Sequence, residues 1–427
     1  MSLTPPRLHN DAFAMPQGVD WLPVDEALAR LRAALHAVTA TEELPTAQAV
    51  GRVLAGPAIA MRSNPPMANA AVDGYGFAHA ATGEGVQNLP VAQGRAAAGQ
   101  PFDGTLPQGH ALRILTGAIL PPGVDTVVME EDCATDGTTL AFDGPVKRGA
   151  NTRKAGEDLA EGAEALPKGR RLGPADVALL TALGVARVQV HRRLRVAVLS
   201  TGDELLPDAS QAALPHQIYD ANRPMLLALA EAWGFEPVDL SLAPDDPDQI
   251  AARLDEGAAR ADVILTSGGA SAGDEDHVSR LLRDQGTLTS WRIAIKPGRP
   301  LALAMWQGVP VFGLPGNPVA AYTCALVFAC PALSLLSGAG WTAPQAFTVP
   351  ASFAKRKKAG RREFLRARLD AEGRAEVFQS EGSGRISGLS WGTGFVELPD
   401  DACEIGPGDP VRFLPYASFG VMQGATG

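Results

Sequence analysis

The sequence predicts a multidomain chain of α/β plus β class, and three observations predict it. At 427 residues there is room for roughly two to four domains. Between 194 and 336, short apolar runs alternate with helical patterns. That alternation predicts a third domain with a three-layer α/β/α architecture and a mostly parallel sheet. Residues 58–151 and 337–427 instead hold short apolar runs broken by Gly and Pro, as in a β-rich second domain and a small C-terminal β domain. Apolar residues make up 46% of the chain, enough for several cores, while 46 Gly and 34 Pro imply many turns.

The elements follow in order. Residues 1–18, "MSLTPPRLHNDAFAMPQG", lack an apolar stretch and read as a lead-in, neither a signal peptide nor a membrane span. The expected location is therefore the cytoplasm. From 21 to 38, Val24, Leu28, Leu31, Leu35 and Val38 fall at helical spacing, with Asp25 and Glu26 suited to a first turn. "RILTGAIL" and "DTVVMEED" read as strands of the second module. "GPADVALLTALGV" places Pro174 at a helix start and Gly184 at its end. The strand "LRVAVLST" precedes the helix "NRPMLLALAEAWGF". "EPVDLSL" precedes "DPDQIAARLDEGAARA", and "DVILTS" precedes "DEDHVSRLLRDQG". "SWRIAIKPG", "PLALAMW" and "VPVFGLPG" read as further strands. The uncharged run 319–336 is near the lower limit for a membrane span, but Pro331 interrupts it and no Lys or Arg lies near either end, so a buried core helix is expected.

Composition excludes several functions. The net charge of −10 disfavours a sequence-independent nucleic-acid binder. Four Cys without a CxxC pair argue against a zinc knuckle or a disulfide framework. No P-loop, GxGxxG, HExxH or GxSxG is present, so the kinase, dinucleotide, zinc-protease and α/β-hydrolase readings lack their signatures.

The chemistry concentrates in the strand-end loops of the third module, where ligands of open α/β sheets bind. "STGDELLP" sets Asp203 and Glu204 after a small turn, and "QIYDANRP" sets Asp220 and Asn222 before a helix. "LTSGGASAGDEDH" joins the Ser267-Gly268-Gly269 turn to Asp274, Glu275 and Asp276. "IAIKPGRP" holds Lys296 and Arg299, and "GLPGNP" holds Pro315 and Pro318. Glycine turns with Lys and Arg suit a phosphate, and carboxylates beside a phosphate suit a bridging divalent cation such as Mg²⁺. Singly, each loop also reads as an ordinary connector, and the three acids as helix-start charges. In the second module, "VDGY" exposes Asp73, which equally reads as a turn-stabilising Asx residue. Thr116-Gly117 reads as a strand end, and the "GANTRKAGED" turn carries Arg153, Lys154, Glu157 and Asp158.

Taken together and in this order, these motifs resemble the molybdopterin molybdenumtransferase family of MoeA and gephyrin E-domain type, from about residue 21 to residue 420. The resemblance implies a homodimer of four-domain subunits. Residues 21–58 with 152–191 would form an elongated linker and dimerisation domain, and 59–151 a β-rich domain contributing to the partner's site. Residues 192–336 would form the α/β molybdopterin-binding domain and 337–427 the C-terminal β domain. The implied reaction inserts molybdate into adenylylated molybdopterin, releases AMP and uses Mg²⁺. Carried over by motif, Asp73, Thr116, Glu204, Asp276 and Lys296 are the catalytic positions, with Glu204 and Asp276 as the metal positions. Asp158, Asp245, Ser267, Gly268, Gly269, Arg292, Arg299, Pro315, Pro318, Arg362 and Ser387 are the substrate-binding positions. Further implied partners are the molybdopterin adenylyltransferase and acceptor apo-enzymes; no nucleic acid and no membrane is implied. Arg292 stands where the family often has Lys, exchanging a point donor for a planar fork. Val72 replaces a common Met, and Ala270 and Ala272 replace larger residues. Two neighbouring readings are adenylylation of molybdopterin, whose domain usually carries "GGTG" where this chain has "GGAS", and a non-catalytic scaffold, which would not need Asp73, Glu204, Asp276 and Lys296.

Overall fold

A computed structural model of the chain describes residues 21–268, 277–298, 300–382 and 384–422. The chain divides into two compact units, one of residues 1–41 with 191–427 and one of residues 42–190.

The larger unit is built on a six-stranded mixed sheet. Its order is Glu236–Ala243, Arg195–Thr201, Val263–Ser267, Val309–Leu314, Pro300–Trp306, Thr287–Arg292. The first four strands are parallel, and the last two add antiparallel. The strand Arg195–Thr201 is buried along nearly its whole length, which is why it reads as a continuous apolar run and not as an alternation. Its residues feed two cores in turn. Val196 and Val198 face the helix Asn222–Ala232 through Leu226 and Leu229. Ala197 and Leu199 face the helices Pro247–Arg260 and His277–Asp284 through Ile250, Leu254, Val278 and Leu282. Asp246 starts the second of these helices, its carboxylate accepting from Asp248 N and Gln249 N at 3.0 Å each.

The apolar run forms one 19-residue helix, Pro318–Leu336, long and apolar enough to cross a membrane by composition, yet 89% of its window is buried inside the protein. Pro331 does not end it, because a π-helical turn over Ala325–Ala329 lets the helix pass through a residue that lacks an N–H.

Near the N-terminus the helix spans Val24–Ala34, shorter than the 21–38 pattern; Leu35 is already extended, and Val38 N donates to Leu336 O at 3.0 Å. Val24, Ala27 and Leu31 pack in the same core as Val196 and Leu333. The expected domain 21–58 therefore divides near residue 41. The apolar stripe of a short helix predicts burial but not the partner, and here the partner is the α/β core.

A second sheet follows in the same unit, ordered Ile295–Lys296, Arg362–Leu369, Gly394–Leu398, Pro410–Pro415, Phe347–Pro350. Its first strand comes from the α/β segment of the chain: Ile295 pairs with Arg362 and Lys296 with Glu363. "SWRIAIKPG" is thus two strands in two sheets.

A half-buried ion cluster holds the start of the strand Arg195–Thr201. Asp262 accepts from Arg192 Nη2 at 2.9 Å, Arg195 Nη2 at 3.0 Å and Arg195 N at 2.8 Å. Burial pushes its pKa up, but the Arg195 and Arg192 hydrogen bonds outweigh burial and hold it below the usual carboxylate range. We expect Asp262→Asn to destabilise the fold by about 2 kcal/mol at neutral pH, since the arginines are partly solvated. A depressed folded pKa contributes stability above the unfolded value of about 3.9 and loses it as pH falls through the folded value. Urea titrations of both proteins should converge as pH drops below about 4.

The smaller unit contains a six-stranded sheet ordered Thr126–Met129, Gly74–Phe77, Ala111–Ile114, Gly85–Ala96, Thr139–Gly144, Cys133–Thr135. A separate core joins Ala49, Leu54 and Ala58 to Leu166, Leu172 and Leu180. Residues on both sides of the inserted β-rich module therefore build one body. The helix Pro174–Ala182 is entered through Gly173, whose N–H donates to Asp176 at 2.8 Å.

Candidate functional site

At the carboxyl ends of the parallel strands, three loops are tied by one side chain. Asn222 Nδ2 donates to Ser267 Oγ at 2.7 Å and to Gly316 O at 2.6 Å. It thereby joins the "IYDANRP" loop to the Ser267-Gly268 turn and to "GLPGNP". Ser267 is buried, as is Asp220, which accepts from Ser200 Oγ at 3.1 Å and from Arg223 Nε at 3.2 Å. Gly268 has φ +92, and a Cβ there would stand 2.8 Å from Thr201 O. Only glycine fits that close approach of two strand ends. Gly268→Ala should cost about 1–3 kcal/mol of strain and push the turn away from Thr201. A fall in thermal midpoint of the purified variant checks this.

The neighbouring loop presents acids. Gly202 has φ +146, and a Cβ there would stand 2.6 Å from Glu204 Oε2, so the carboxylate lies back over its own turn. Asp203 N donates to Asp245 Oδ2 at 3.3 Å, and Asp245 N donates to Asp203 Oδ1 at 3.0 Å. Glu204 and Asp245 are thus on adjoining strand ends. Among the described residues no group of three or more His, Cys, Asp or Glu is placed to hold a metal. Gly269, Asp276 and Arg299 lie outside the described residues.

Lys296 lines a cavity of about 210 Å³, with Pro297, Val319, Lys355, Phe364, Arg366 and Glu381 among its other walls. The Lys296–Pro297 peptide is cis. Lys296 Nζ donates to Glu381 Oε2 at 2.6 Å and lies 3.5 Å from Glu363 Oε1. Lys355 Nζ pairs with Glu381 Oε1 and lies 3.2 Å from Glu363 Oε2. Burial opposes the charge of Lys355, but Glu381 and Glu363 outweigh it and raise its pKa. Burial likewise opposes the charge of Glu381, and Lys296 and Lys355 outweigh it and lower its pKa.

Arg366 is the residue that the sequence reading missed. It is 5% exposed and donates to the carbonyls of Arg385 at 2.6 Å, Ser380 and Gly382 at 3.3 Å, with its guanidinium 5.0 Å over the Phe378 ring. Burial pulls its pKa down, and no carboxylate pairs with it among the described residues. The available signal was an arginine in the middle of the apolar strand "FLRARL", a position that buries it.

Arg362 stands elsewhere. Its guanidinium donates to Asp25 at 2.7 and 2.8 Å and to Asp400 at 2.7 Å, and it opens on a separate groove. The structure therefore does not bring Arg362 to the Lys296 cavity. At the start of the strand, three acids (Asp25, Glu397 and Asp400) claim it. Ser387 is exposed at the start of a short helix, and Ser380 lines the cavity in its stead. Arg292 is exposed at its strand end, where its carbonyl accepts from Leu22 N at 2.9 Å. Pro318 begins the long helix, with Asn317 Oδ1 accepting from Val319 N at 3.2 Å. Pro315 reaches toward the Lys296 turn, where a Cβ on Gly298 would be 3.8 Å from its ring.

In the smaller unit, Asp73 and Thr116 are joined directly. Asp73 Oδ1 accepts from Thr116 Oγ1 at 2.6 Å and from Thr116 N at 2.7 Å. These two bonds, the side-chain one first, hold the Asp73 carboxyl below its usual range although it faces solvent. Gly74, the first residue of the next strand, lets that strand lie close to Thr126–Met129: a Cβ there would fall 1.9 Å from Val128 O. Asp158 lies on another turn, accepting from Asn64 Nδ2 at 2.9 Å.

Comparison with known proteins places the chain in one family along nearly its whole length. Residues 22–184 match the family described as "MoeA N-terminal region (domain I and II)". Residues 197–335 match the "Probable molybdopterin binding domain" and 348–416 the "MoeA C-terminal region (domain IV)". The molybdopterin molybdenumtransferase of Haemophilus influenzae is 34% identical over 402 residues, covering 92% of this chain and 98% of its own. Molybdopterin molybdenumtransferase 2 of Mycobacterium tuberculosis is 35% identical over 385 residues, covering 86% and 93%. The crystal structure of the molybdopterin biosynthesis MoeA protein from Pyrococcus horikoshii superposes with a TM-score of 0.81 at 29% identity, over 93% of this chain and 100% of that one.

Proposed function

Because the chain belongs to the MoeA family and is a molybdopterin molybdenumtransferase of molybdenum cofactor biosynthesis, we propose that it inserts molybdate into adenylylated molybdopterin and releases AMP. The observation that carries this reading is the Lys296 cavity. Lys296 and Lys355 meet two carboxylates there, and the buried Arg366 lines the same cavity as a third cation, an excess of positive charge.

In this reading the strand-end turns bind the nucleotide and pterin portion. Backbone N–H groups at Ser267-Gly268 meet phosphate oxygens, and Asn222 keeps the three loops in register. Lys296 and Arg366 hold the oxyanion by charge and orient it toward the dithiolene. Asp73, fixed by Thr116, serves the site of the second subunit of a homodimer, where it positions polar groups of that subunit's substrate. Catalysis is then mostly positioning and charge neutralisation.

The strand-end acids Glu204 and Asp245 are hard oxygen donors, and Mg²⁺ takes one or two carboxylates while keeping its other positions for water and phosphate. That donor set fits Mg²⁺ arriving with the pyrophosphate, held by Glu204 together with Asp276, where it would supply neutralisation of phosphate charge. The reading also includes a homodimer.

The test incubates the purified full chain with adenylylated molybdopterin, Mg²⁺ and molybdate or tungstate. AMP release that depends on the oxyanion is the expected result. AMP release at the same rate without oxyanion, or none at all, defeats the reading.

A further inference from the structure

We propose that Glu381 is a built-in competitor of the oxyanion, occupying the Lys296 and Lys355 ammonium groups until a doubly charged oxyanion displaces it, and so sets which anions can enter. The proposal rests on the oxyanion reading of this cavity.

One carboxylate bridges two ammonium groups, Oε2 to Lys296 at 2.6 Å and Oε1 to Lys355. Two oxygens of a tetrahedral oxyanion can make the same pair of charge-assisted hydrogen bonds, with twice the charge. The two lysines cannot serve both occupants at full strength.

The two carboxylates of the cluster differ in how they are held. Glu363 sits within the strand Arg362–Leu369, backbone-paired with Lys296 and Leu398, and its side chain is 11% exposed. Glu381 lies on the irregular connection between Ala375–Val377 and Ser387–Trp391, and its side chain is 44% exposed. Glu363 is a fixed part of the wall, whereas Glu381 can swing to water without breaking a sheet. Once it swings, Glu363 is the carboxylate that still meets Lys296 and Lys355 among the described residues, with Arg366 lining the same cavity. A monovalent anion gains too little there to displace a bidentate carboxylate, while a dianion gains enough. Specificity of this kind comes from penalising the wrong ligand as much as from holding the right one.

Glu381→Gln and Glu381→Ala test this in the full chain. Equilibrium dialysis against inorganic molybdate, with metal analysis of both chambers, should show about tenfold tighter retention by both variants, since one charge-assisted competitor is gone. In the insertion assay, the variants should show a lower KM for molybdate at little-changed kcat. Chloride should compete with molybdate in the variants at concentrations that leave the wild type unaffected. Equal or weaker molybdate retention by the variants overturns the proposal, as does failure of wild type and variants alike to retain molybdate. The insertion reading is scored separately, by oxyanion-dependent AMP release from the wild-type chain, so the two can fail independently.

Discussion

Lys296→Gln is expected to lower oxyanion-dependent AMP release about 10²–10³-fold, the usual loss when one preorganised charge donor is removed from a site of this kind. The loss should fall on activity and not on folding. Lys296 bridges Glu381 and Glu363, and Lys355 remains to pair with both. Its backbone pairing with Glu363 does not depend on the side chain. Thermal melting within about 3 °C of the wild type, together with the activity loss, is the expected pair of results. Lys296→Arg should recover only part of the rate, because a planar fork cannot meet Glu363, Glu381 and a tetrahedral ligand as a point donor does. Wild-type AMP release from Lys296→Gln would remove this residue from the mechanism.

Arg366→Met is expected to lose both stability and activity. The guanidinium satisfies the carbonyls of Ser380, Gly382 and Arg385, and so fastens the connection that carries Glu381. Replacing it by an apolar side chain leaves those carbonyls without their donor, at about 2–4 kcal/mol. Gly388 is packed against the same group: a Cβ there would be 3.0 Å from Arg366 Nη1. Urea denaturation should report the stability loss, and AMP release should fall at least as far as for Lys296→Gln. Arg366→Lys should retain more stability than Arg366→Met, since an ammonium still donates to carbonyls. Full activity in Arg366→Met would show that the cavity does not need this charge.

The strand-end loops were legible because their signals are local. Glycine at positive φ, an Asp or Asn before a helix, and an apolar run ending in small residues are all written within a few neighbouring positions. The turn at Gly268 and the acids after Gly202 follow from such signals. Pairing across long sequence distances was not legible. Nothing local says that Ile295–Lys296 leaves the α/β sheet to join a strand 67 residues later. The different surroundings of Arg362 and Arg366 were not legible for the same reason. Both sit on "REFLRARL", and the partners that separate them, Asp25 for one and the carbonyls of 380–385 for the other, are remote in sequence. The helix at Val24–Ala34 showed its apolar stripe but not what the stripe meets.

The strand Ile295–Lys296 also limits how the protein can be divided. A cut at residue 337 follows the composition of the chain and looks like a natural place to separate a C-terminal fragment. Such a fragment would carry Arg362 and Glu363 with the side that Ile295–Lys296 covers left bare, an open edge of the kind that invites pairing with other chains. The remaining fragment would keep Lys296 but lose Lys355, Arg366 and both glutamates. Neither piece would hold half a site that the other could complete on demand, so exchange or replacement of the C-terminal module should begin upstream of residue 295 or not at all.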